Sequence, residues 1–213
     1  MHMIDIPTYD VTPYLSSELC NARDFFVHYD RGFLRLRSGL LNLTLAMKTR
    51  LYTTHLDFFG ANQRFDIKRK MQSLHGGAVV LSGADTSAWV DYSAPGNILF
   101  GYISAARGLD QRVCWAAGGI LESLDMGRVN PEYQEFWFDN PGDKAAVDFG
   151  WQLFEQHPQG VNLPDLKQAL TAEVLSQLQL PENVPMELPL AYCGKVENYP
   201  YGSGWFLNDE TAL

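Results

Sequence analysis

Long apolar runs and closely spaced cysteines are absent from this 213-residue sequence. No stretch approaches the ~20 consecutive apolar residues that a membrane-spanning helix requires, so we expect no membrane span. Three cysteines at wide spacing predict neither a disulfide framework nor a CxxC metal site. The N-terminus also lacks the basic-then-apolar order of a signal peptide. We therefore expect the chain to be made in the cytoplasm and to leave it, if at all, without a signal peptide.

Histidine is also sparse, and its spacing predicts no metal centre. The five histidines form no HxxxH or HExxH pattern, which are the spacings that place two imidazoles on one helix face. No resident metal and no organic cofactor is therefore expected.

Basic residues are fewer than acidic ones: 16 Lys and Arg stand against 25 Asp and Glu, for a formal net charge of -9. Such a balance disfavours a broad nucleic-acid footprint, because phosphates are neutralised by Lys and Arg. The charge is unevenly distributed, however. Residues 23–70 hold ten basic and four acidic residues, whereas residues 81–213 hold six and eighteen. The chain is thus polarised, and its total charge does not exclude RNA as a substrate.

Apolar residues recur mostly at helical spacing, which predicts a mainly α fold. We expect a single compact helical domain of about six helices with at most a small β element. A helix over Pro13–Asp30 is predicted to be capped by Ser16 or Ser17 and to end at Gly32. The other predicted helices are Leu34–Tyr52, Ile98–Ala106, Gln111–Leu124, a helix from Pro141 to His157, and Leu166–Leu178. A further segment, Phe58–Met71, begins near Gly60 and holds the charged run Arg64–Lys70.

Gly76–Gly83 is β-branched and bracketed by glycines, so it is either one strand of a small hairpin or a buried loop. Paired glycines at 118 and 119 predict tight packing or a kink. Three regions are expected along the chain. Residues 1–54 form an N-terminal helical region, residues 55–180 form the central domain, and residues 181–213 form an irregular tail packed on the body.

The first candidate site is Asp66 and Lys68, with Arg64 beside them. A carboxylate and an ammonium group two residues apart share a face only in an extended segment. The carboxylate could serve as acid or base, while the lysine holds an anion or stabilises developing negative charge. The alternative interpretation is a solvated charged face, which the spacing by itself favours.

The second candidate site is Asn97 with Tyr102, after the Pro95–Gly96 turn. Asn97 could cap the following helix or present its amide to a substrate. Tyr102 could donate a proton or hydrogen bond, although a tyrosine in an apolar helix is more often part of the core.

The third candidate site is Asp139 and Asp143, which flank an Asn140–Pro141 helix start. The positive end of a helix favours ionised carboxylates, and these suit metal binding or a permanent negative charge. A capping motif accounts for Asp143 but not for Asp139. Asp85 and Asp91, on either side of a tryptophan, could each add a carboxylate, but a surface loop is the favoured interpretation for both.

The order of these elements resembles the bacterial polymorphic toxin type 44 domain family over roughly residues 55–155. The resemblance is carried by Arg64–Lys68 (RFDIK), Gly96–Tyr102 (GNILFGY) followed by Ala105–Gly108 (AARG), Ala116–Gly119 (AAGG), and Asp139–Asp143 (DNPGD) followed by Val147 and Gly150. Asn140 stands where the family commonly has Asp, which removes one carboxylate.

The resemblance implies an antibacterial effector toxin that a secretion system, such as type VI, delivers into a competing cell. It further implies an all-α ribonuclease and a cognate immunity protein. The implied catalytic residues are Asp66, Lys68, Asn97, Asp139 and Asp143, with Tyr102 beside them as a substrate-binding residue. Arg64, which could grip a phosphate, and Asp91, which could add a carboxylate, are the other candidate substrate-binding residues. Mg²⁺ would enter only if the substrate is RNA.

Two alternatives to a ribonuclease remain open from the sequence. An acidic protein with several aspartates and many aromatics also suits a muramidase-like hydrolase of peptidoglycan glycan strands in the target periplasm, because paired carboxylates perform that chemistry. A non-enzymatic binding module would need only the capping and packing roles of the same residues.

Overall fold

A computed structural model describes residues 10–34, 59, 64–65, 67–68, 71, 78–125, 127, 129–137 and 139–178 of the chain. The predicted mainly α class is confirmed: this part of the chain has six α-helices and one two-stranded antiparallel sheet. The elements are α1 (Thr12–Leu34), β1 (Ala78–Ser82), β2 (Ser87–Asp91), α2 (Ala94–Ala106), α3 (Gln111–Asp125), a 3-10 helix (Pro131–Phe136), α4 (Pro141–Gln156), α5 (Leu163–Ala169) and α6 (Ala172–Leu178).

Helix α1 confirms the first predicted helix but begins and ends elsewhere. Its apolar side chains at helical spacing are buried, among them Leu15, Leu19 and Phe26. The capping oxygen comes from Asp10, whose Oδ1 accepts a hydrogen bond from the Thr12 backbone N–H at 3.0 Å. The prediction of a Ser16 or Ser17 cap is therefore wrong, because the helix begins one turn earlier. The helix also continues past Gly32 to Leu34.

The segment between the predicted glycine boundaries at 76 and 83 is a strand, not a loop. Strand β1 pairs with β2 in a register that places Val80 opposite Trp89 and Ala78 opposite Asp91. Trp89 is 2% exposed and Asp91 is the last residue of β2, so the surface loop predicted for Asp91 is wrong. The three central residues of β2 are all buried, whereas Asp85 lies in the exposed connection between the strands, in agreement with the surface loop predicted for it.

Helices α2 and α4 make the closest packing that positions the candidate site. A Cβ atom at Gly101 would collide with the backbone of Val147, and one at Gly150 would collide with the backbone of Ile98. Each helix therefore presents a glycine to the other, and no larger residue fits at either position. The contact brings the start of α2 beside the start of α4.

Helix α3 runs antiparallel to α4, with its first turn beside Asp148 and Gly118 against Asp139. It is continuous over Gln111–Asp125, and Gly118 provides the close packing that the paired glycines predict. The start and end predicted for α4 are confirmed: Asn140 is the N-cap, its side chain accepting from the Gly142 N–H at 2.9 Å, and the helix ends before His157.

The helix predicted over Leu166–Leu178 is two short helices, α5 and α6. Leu170 leaves the helical conformation, and the Thr171 hydroxyl accepts from the Val174 N–H at 3.3 Å to start α6. The Thr171 cap thus starts a new helix where the first could have continued. The spacing of apolar residues does not reveal this break.

Several predicted elements lie outside the described residues. They are the helix from 34 to 52 beyond its first residue, most of 58–71, and the tail from 181 onward. The boundaries expected at 54/55 and 180/181 lie there as well. In the part of the chain that the structure describes, no helix combines the length and apolarity that crossing a membrane requires.

Candidate functional site

Four of the eight predicted site residues converge near the start of α2. We refer to Lys68, Asp91, Ser93, Asn97 and Asp143 as the carboxylate cluster. Of the other predicted site residues, Asp66 lies outside the described residues.

Ser93 joins the two acids of the carboxylate cluster. It follows β2 and precedes α2, where the chain changes from strand to helix. Its backbone N–H donates to Oδ1 of Asp91 at 2.7 Å, and its hydroxyl donates to Oδ1 of Asp143 at 2.7 Å. The serine N and Oγ are three covalent bonds apart, so the two acceptor oxygens lie within about 9 Å of each other. One substrate group can therefore contact both carboxylates.

The two acids differ in what the surrounding protein does to them. Burial raises the pKa of Asp91, and the neighbouring Asp143 carboxylate raises it further; the Ser93 hydrogen bonds and the Lys68 ammonium partly offset both effects. Asp91 thus holds a proton more readily than an aspartate in water does. A carboxyl group with a raised pKa beside a second carboxylate is the arrangement that general acid catalysis uses.

Lys68 reaches the carboxylate cluster across the backbone of α2. A Cβ atom at Gly96 would overlap the aliphatic part of the lysine side chain, so only glycine allows the lysine to lie there. Neighbouring Phe65, Ile67 and Met71 are buried, which anchors this short stretch on the core. The ammonium group is close enough to Asp91 to lower its pKa.

Asn97 lies inside α2 and does not cap it. The helix begins at Ala94, and the Asn97 backbone N–H donates to the Ser93 carbonyl at 3.0 Å, as an interior residue does. The predicted capping role is therefore wrong. The residue is 5% exposed, and among the described residues its Nδ2 has no hydrogen-bond acceptor. A buried amide without a partner costs about 1–3 kcal/mol, so this donor is available to a ligand or to a water molecule.

Asp139 faces α3 and not the carboxylate cluster. It is 6% exposed, its Oδ1 accepts from the Asn140 N–H at 2.9 Å, and its carboxylate lies where a Gly118 side chain would be. Asp143, one helical turn further, faces α2 through Ser93. The third predicted site is therefore divided between two faces of α4, and Asp139 joins α4 to α3.

Tyr102 belongs to the core. It is fully buried, its hydroxyl donates to the His157 carbonyl at 2.9 Å, and its ring packs edge-on against Phe154. Burial raises its pKa to about 12. His157 and Asp143 are at opposite ends of α4, about 21 Å apart at 1.5 Å per residue. The structure thus separates Tyr102 from the carboxylate cluster.

Arg64 lies over α1. Its guanidinium is 4.3 Å from the centre of the Phe25 ring, a cation–π contact. It lines a cleft of about 590 Å³ together with Glu18, Asn21, Asp24, Phe25, His28 and Phe65. No residue of the carboxylate cluster lines this cleft, so Arg64 and the paired acids occupy separate surfaces.

Sequence reasoning missed Ser93 and a second group of polar side chains on α3 and α4. A serine just before Ala94–Pro95 is an N-cap pattern, which could have identified its position but not its two acidic partners. Asp148 accepts from Gln111 and Trp115 side chains, contacts that no local pattern predicts. Among the described residues, no group of three or more His, Cys, Asp or Glu side chains is arranged to hold a metal ion.

The fold and the carboxylate cluster define a mainly α protein with a pair of partly buried, serine-linked acids. No protein-family model, curated protein or solved structure matches the chain. The resemblance to the type 44 toxins therefore stays a prediction from the sequence.

Proposed function

We propose that this protein is a hydrolase in which Asp91 is the general acid and Asp143 is the base or nucleophile. The observation that carries the proposal is the Ser93 link between the two carboxylates, one of which has its pKa raised by burial. In this mechanism Asp91 protonates the leaving oxygen. Asp143 either activates water or attacks the substrate directly, and the separation allowed by Ser93 accommodates both routes.

The geometry favours a glycan strand, such as that of peptidoglycan, as the substrate. Glycoside hydrolysis requires two carboxyl groups with different proton affinities, and Asp91 and Asp143 lie in different surroundings. The Nδ2 of Asn97, which has no acceptor among the residues that the structure describes, is a donor suited to a sugar hydroxyl or acetamido oxygen. Acidic side chains at the reacting centre also repel a phosphodiester unless a cation intervenes.

A ribonuclease is the second candidate, and Lys68 favours it. An ammonium group beside Asp91 could hold a phosphate, and the residue belongs to the basic stretch 23–70. In that case Asp91 and Asp143 are the side chains that would hold Mg²⁺, which neutralises charge on the phosphate.

Delivery as an antibacterial effector, with a secretion-system carrier and an immunity protein as partners, rests on the type 44 resemblance. In that role the chain acts inside a target cell. A glycan hydrolase would act in the target periplasm, and a ribonuclease in the target cytoplasm.

Digestion of purified sacculi and of total RNA by the full chain tests the reaction. We expect soluble glycan fragments from sacculi. Asp91→Asn and Asp143→Asn should each lower the rate at least about a hundredfold. Glu173→Gln, at an exposed position on α6, is the matched charge-removing control and should leave the rate unchanged.

Expression with and without an export signal supplies the second readout. Killing only when the chain is exported supports the glycan hydrolase, whereas killing only without export and cleavage of RNA would favour the ribonuclease. Full activity of both Asp→Asn variants would show that the carboxylate cluster is not the active site. Cleavage of neither polymer by the wild type would leave a binding module.

A further inference from the structure

Two tryptophans form a fixed aromatic surface on the side of α4 that faces α3. The rings of Trp115 and Trp137 lie 5.8 Å apart between centres and are tilted by 44°. We refer to Trp115, Phe136, Trp137, Lys144 and Asp148 as the Trp137 platform. Trp137 is 42% exposed and Phe136 36% exposed, so aromatic faces reach solvent here.

Polar contacts hold Trp115 in place beneath this surface. Its indole N–H donates to Oδ1 of Asp148 at 2.6 Å, and Lys144 Nζ donates to Oδ2 of the same carboxylate. The Lys144 ammonium also lies 4.2 Å from the centre of the Trp115 ring. The inner ring is thus locked by a hydrogen bond and a cation–π contact, which preorganises the outer one.

The backbone of Trp137 supports a functional use of its exposed ring. At φ 61° it is the one non-glycine residue with a left-handed conformation in the described part of the chain. Its N–H donates to the Gln134 carbonyl at 3.2 Å, which holds the conformation. A bulky residue rarely occupies this region, and such strain concentrates at binding sites.

The Trp137 platform lies next to the carboxylate cluster. Asp143 and Lys144 are consecutive in the first turns of α4, with Cα atoms about 3.8 Å apart. Their side chains point in directions about 100° apart, so Asp143 faces α2 while Lys144 faces Trp115. The two surfaces are therefore adjacent at the start of α4 but face different neighbouring helices, and only a polymer that passes the first turn of α4 would contact both.

The charges around the platform favour an uncharged ring over a phosphate. Lys144 and Asp148 neutralise each other, while the exposed Glu132 and Glu135 of the adjoining 3-10 helix are both acidic. A phosphate backbone would be repelled, whereas a sugar ring stacks its C–H face on an indole and offers hydroxyls to polar neighbours.

We propose that the Trp137 platform is a sugar-binding subsite for an N-acetylhexosamine unit of the glycan strand. The inference rests on the proposed glycan hydrolase and names a subsite beside its reacting centre. Trp137 provides the stacking face, and the polar side chains of the platform hold the ring that supports it.

Calorimetric titration with N-acetylglucosamine tetramer tests the subsite, using the full chain with Asp143→Asn to prevent turnover. In that background Trp137→Ala should weaken binding about tenfold or more, while Trp137→Phe, which keeps an aromatic face, should stay within about threefold. Ile120→Ala is the matched control, because Ile120 is 62% exposed on α3 and lies outside the platform. Circular dichroism confirms that each variant is folded.

Several results would overturn the subsite. These are no binding of the tetramer, equal binding by the Trp137→Ala variant, Trp137-dependent binding of poly(U) in its place, or concentration-dependent dimers that Trp137→Ala abolishes. Failure of the proposed reaction is distinguishable from failure of the subsite. Tetramer binding without any hydrolysis of sacculi would refute the hydrolase alone. Hydrolysis that requires Asp91 and Asp143, without tetramer binding, would refute the subsite alone.

Discussion

Replacing Gly150 by alanine tests the packing that brings α2 and α4 together. The new Cβ would overlap the carbonyl carbon and oxygen of Ile98 and the backbone nitrogen of Tyr102. Backbone atoms cannot rotate away as a side chain can, so the two helices must separate. Overpacking of this kind costs about 1–3 kcal/mol, and a backbone collision lies at the upper end of that range.

Helix propensity acts in the opposite direction, because alanine is favoured over glycine inside a helix by about 1 kcal/mol. We therefore expect a net loss of about 2 kcal/mol in the free energy of unfolding. In urea, with a slope of about 1–3 kcal/mol per molar, the midpoint should fall by about 1 M. The remaining folded protein should also lose activity, since separation of the helices breaks the Ser93–Asp143 hydrogen bond.

The same substitution in the first turn of α4 provides the control. A Cβ atom at Gly142 would meet only the Asn140 side-chain oxygen, at an ordinary 3.4 Å. Gly142→Ala should therefore be neutral or stabilising by up to about 1 kcal/mol. Equal stability of the two variants in urea denaturation followed by circular dichroism would refute the packing argument.

Three further substitutions separate structural from functional residues. Tyr102→Phe removes one of the two donors to the His157 carbonyl, the other being the Gly160 N–H, and should cost about 1 kcal/mol in urea denaturation. Hydrolysis by the folded protein should be unchanged, and a selective loss of activity would return Tyr102 to the active site. Asn97→Leu removes a buried amide whose Nδ2 has no acceptor among the described residues, so the melting temperature should be maintained or rise while activity falls. Preserved activity would show that the amide has no role in the reaction. Because the pKa of Asp91 is raised in the folded protein, protonation of this group stabilises the fold. That stabilisation is fully present below the ordinary aspartate pKa and is lost as the pH rises through the higher pKa of the folded state. Asp91→Asn should accordingly be more stable than the wild type at neutral pH, with the difference vanishing in acid; a pH-independent difference would contradict the assigned shift.

Local chemistry was sufficient to predict much of the secondary structure. The apolar periodicity of α1 and the Asn140–Pro141 start of α4 depend on residues within a few positions of one another, so both helices could be read directly. The start of α1 and the division of α5 from α6 could not be predicted in this way. Each depends on one side-chain oxygen, of Asp10 or Thr171, that accepts from a nearby backbone N–H, and other polar residues close by in the sequence could have done the same.

The candidate site divides in the same way. Residue type and order alone singled out Lys68, Asn97 and Asp143 as carriers of chemistry. Asp91 was a candidate substrate-binding residue for which a surface loop was the favoured interpretation. The tertiary structure decided that it belongs with them, because Ser93 joins it to Asp143, 50 residues after the serine. Burial, which raises the pKa of Asp91, is likewise a property of the packed molecule.

The sequence by itself determined a mainly α chain, no apolar run long enough for a membrane span, and a set of acidic candidates. Only the tertiary structure decided which candidates meet. It placed Tyr102 in the core, turned Asp139 toward Gly118, and brought Trp137 onto an exposed platform. The physical reason is that a helix forms from interactions between residues a few positions apart in the sequence. Whether two distant side chains meet depends instead on how closely helices such as α2 and α4 pack, which their glycines decide.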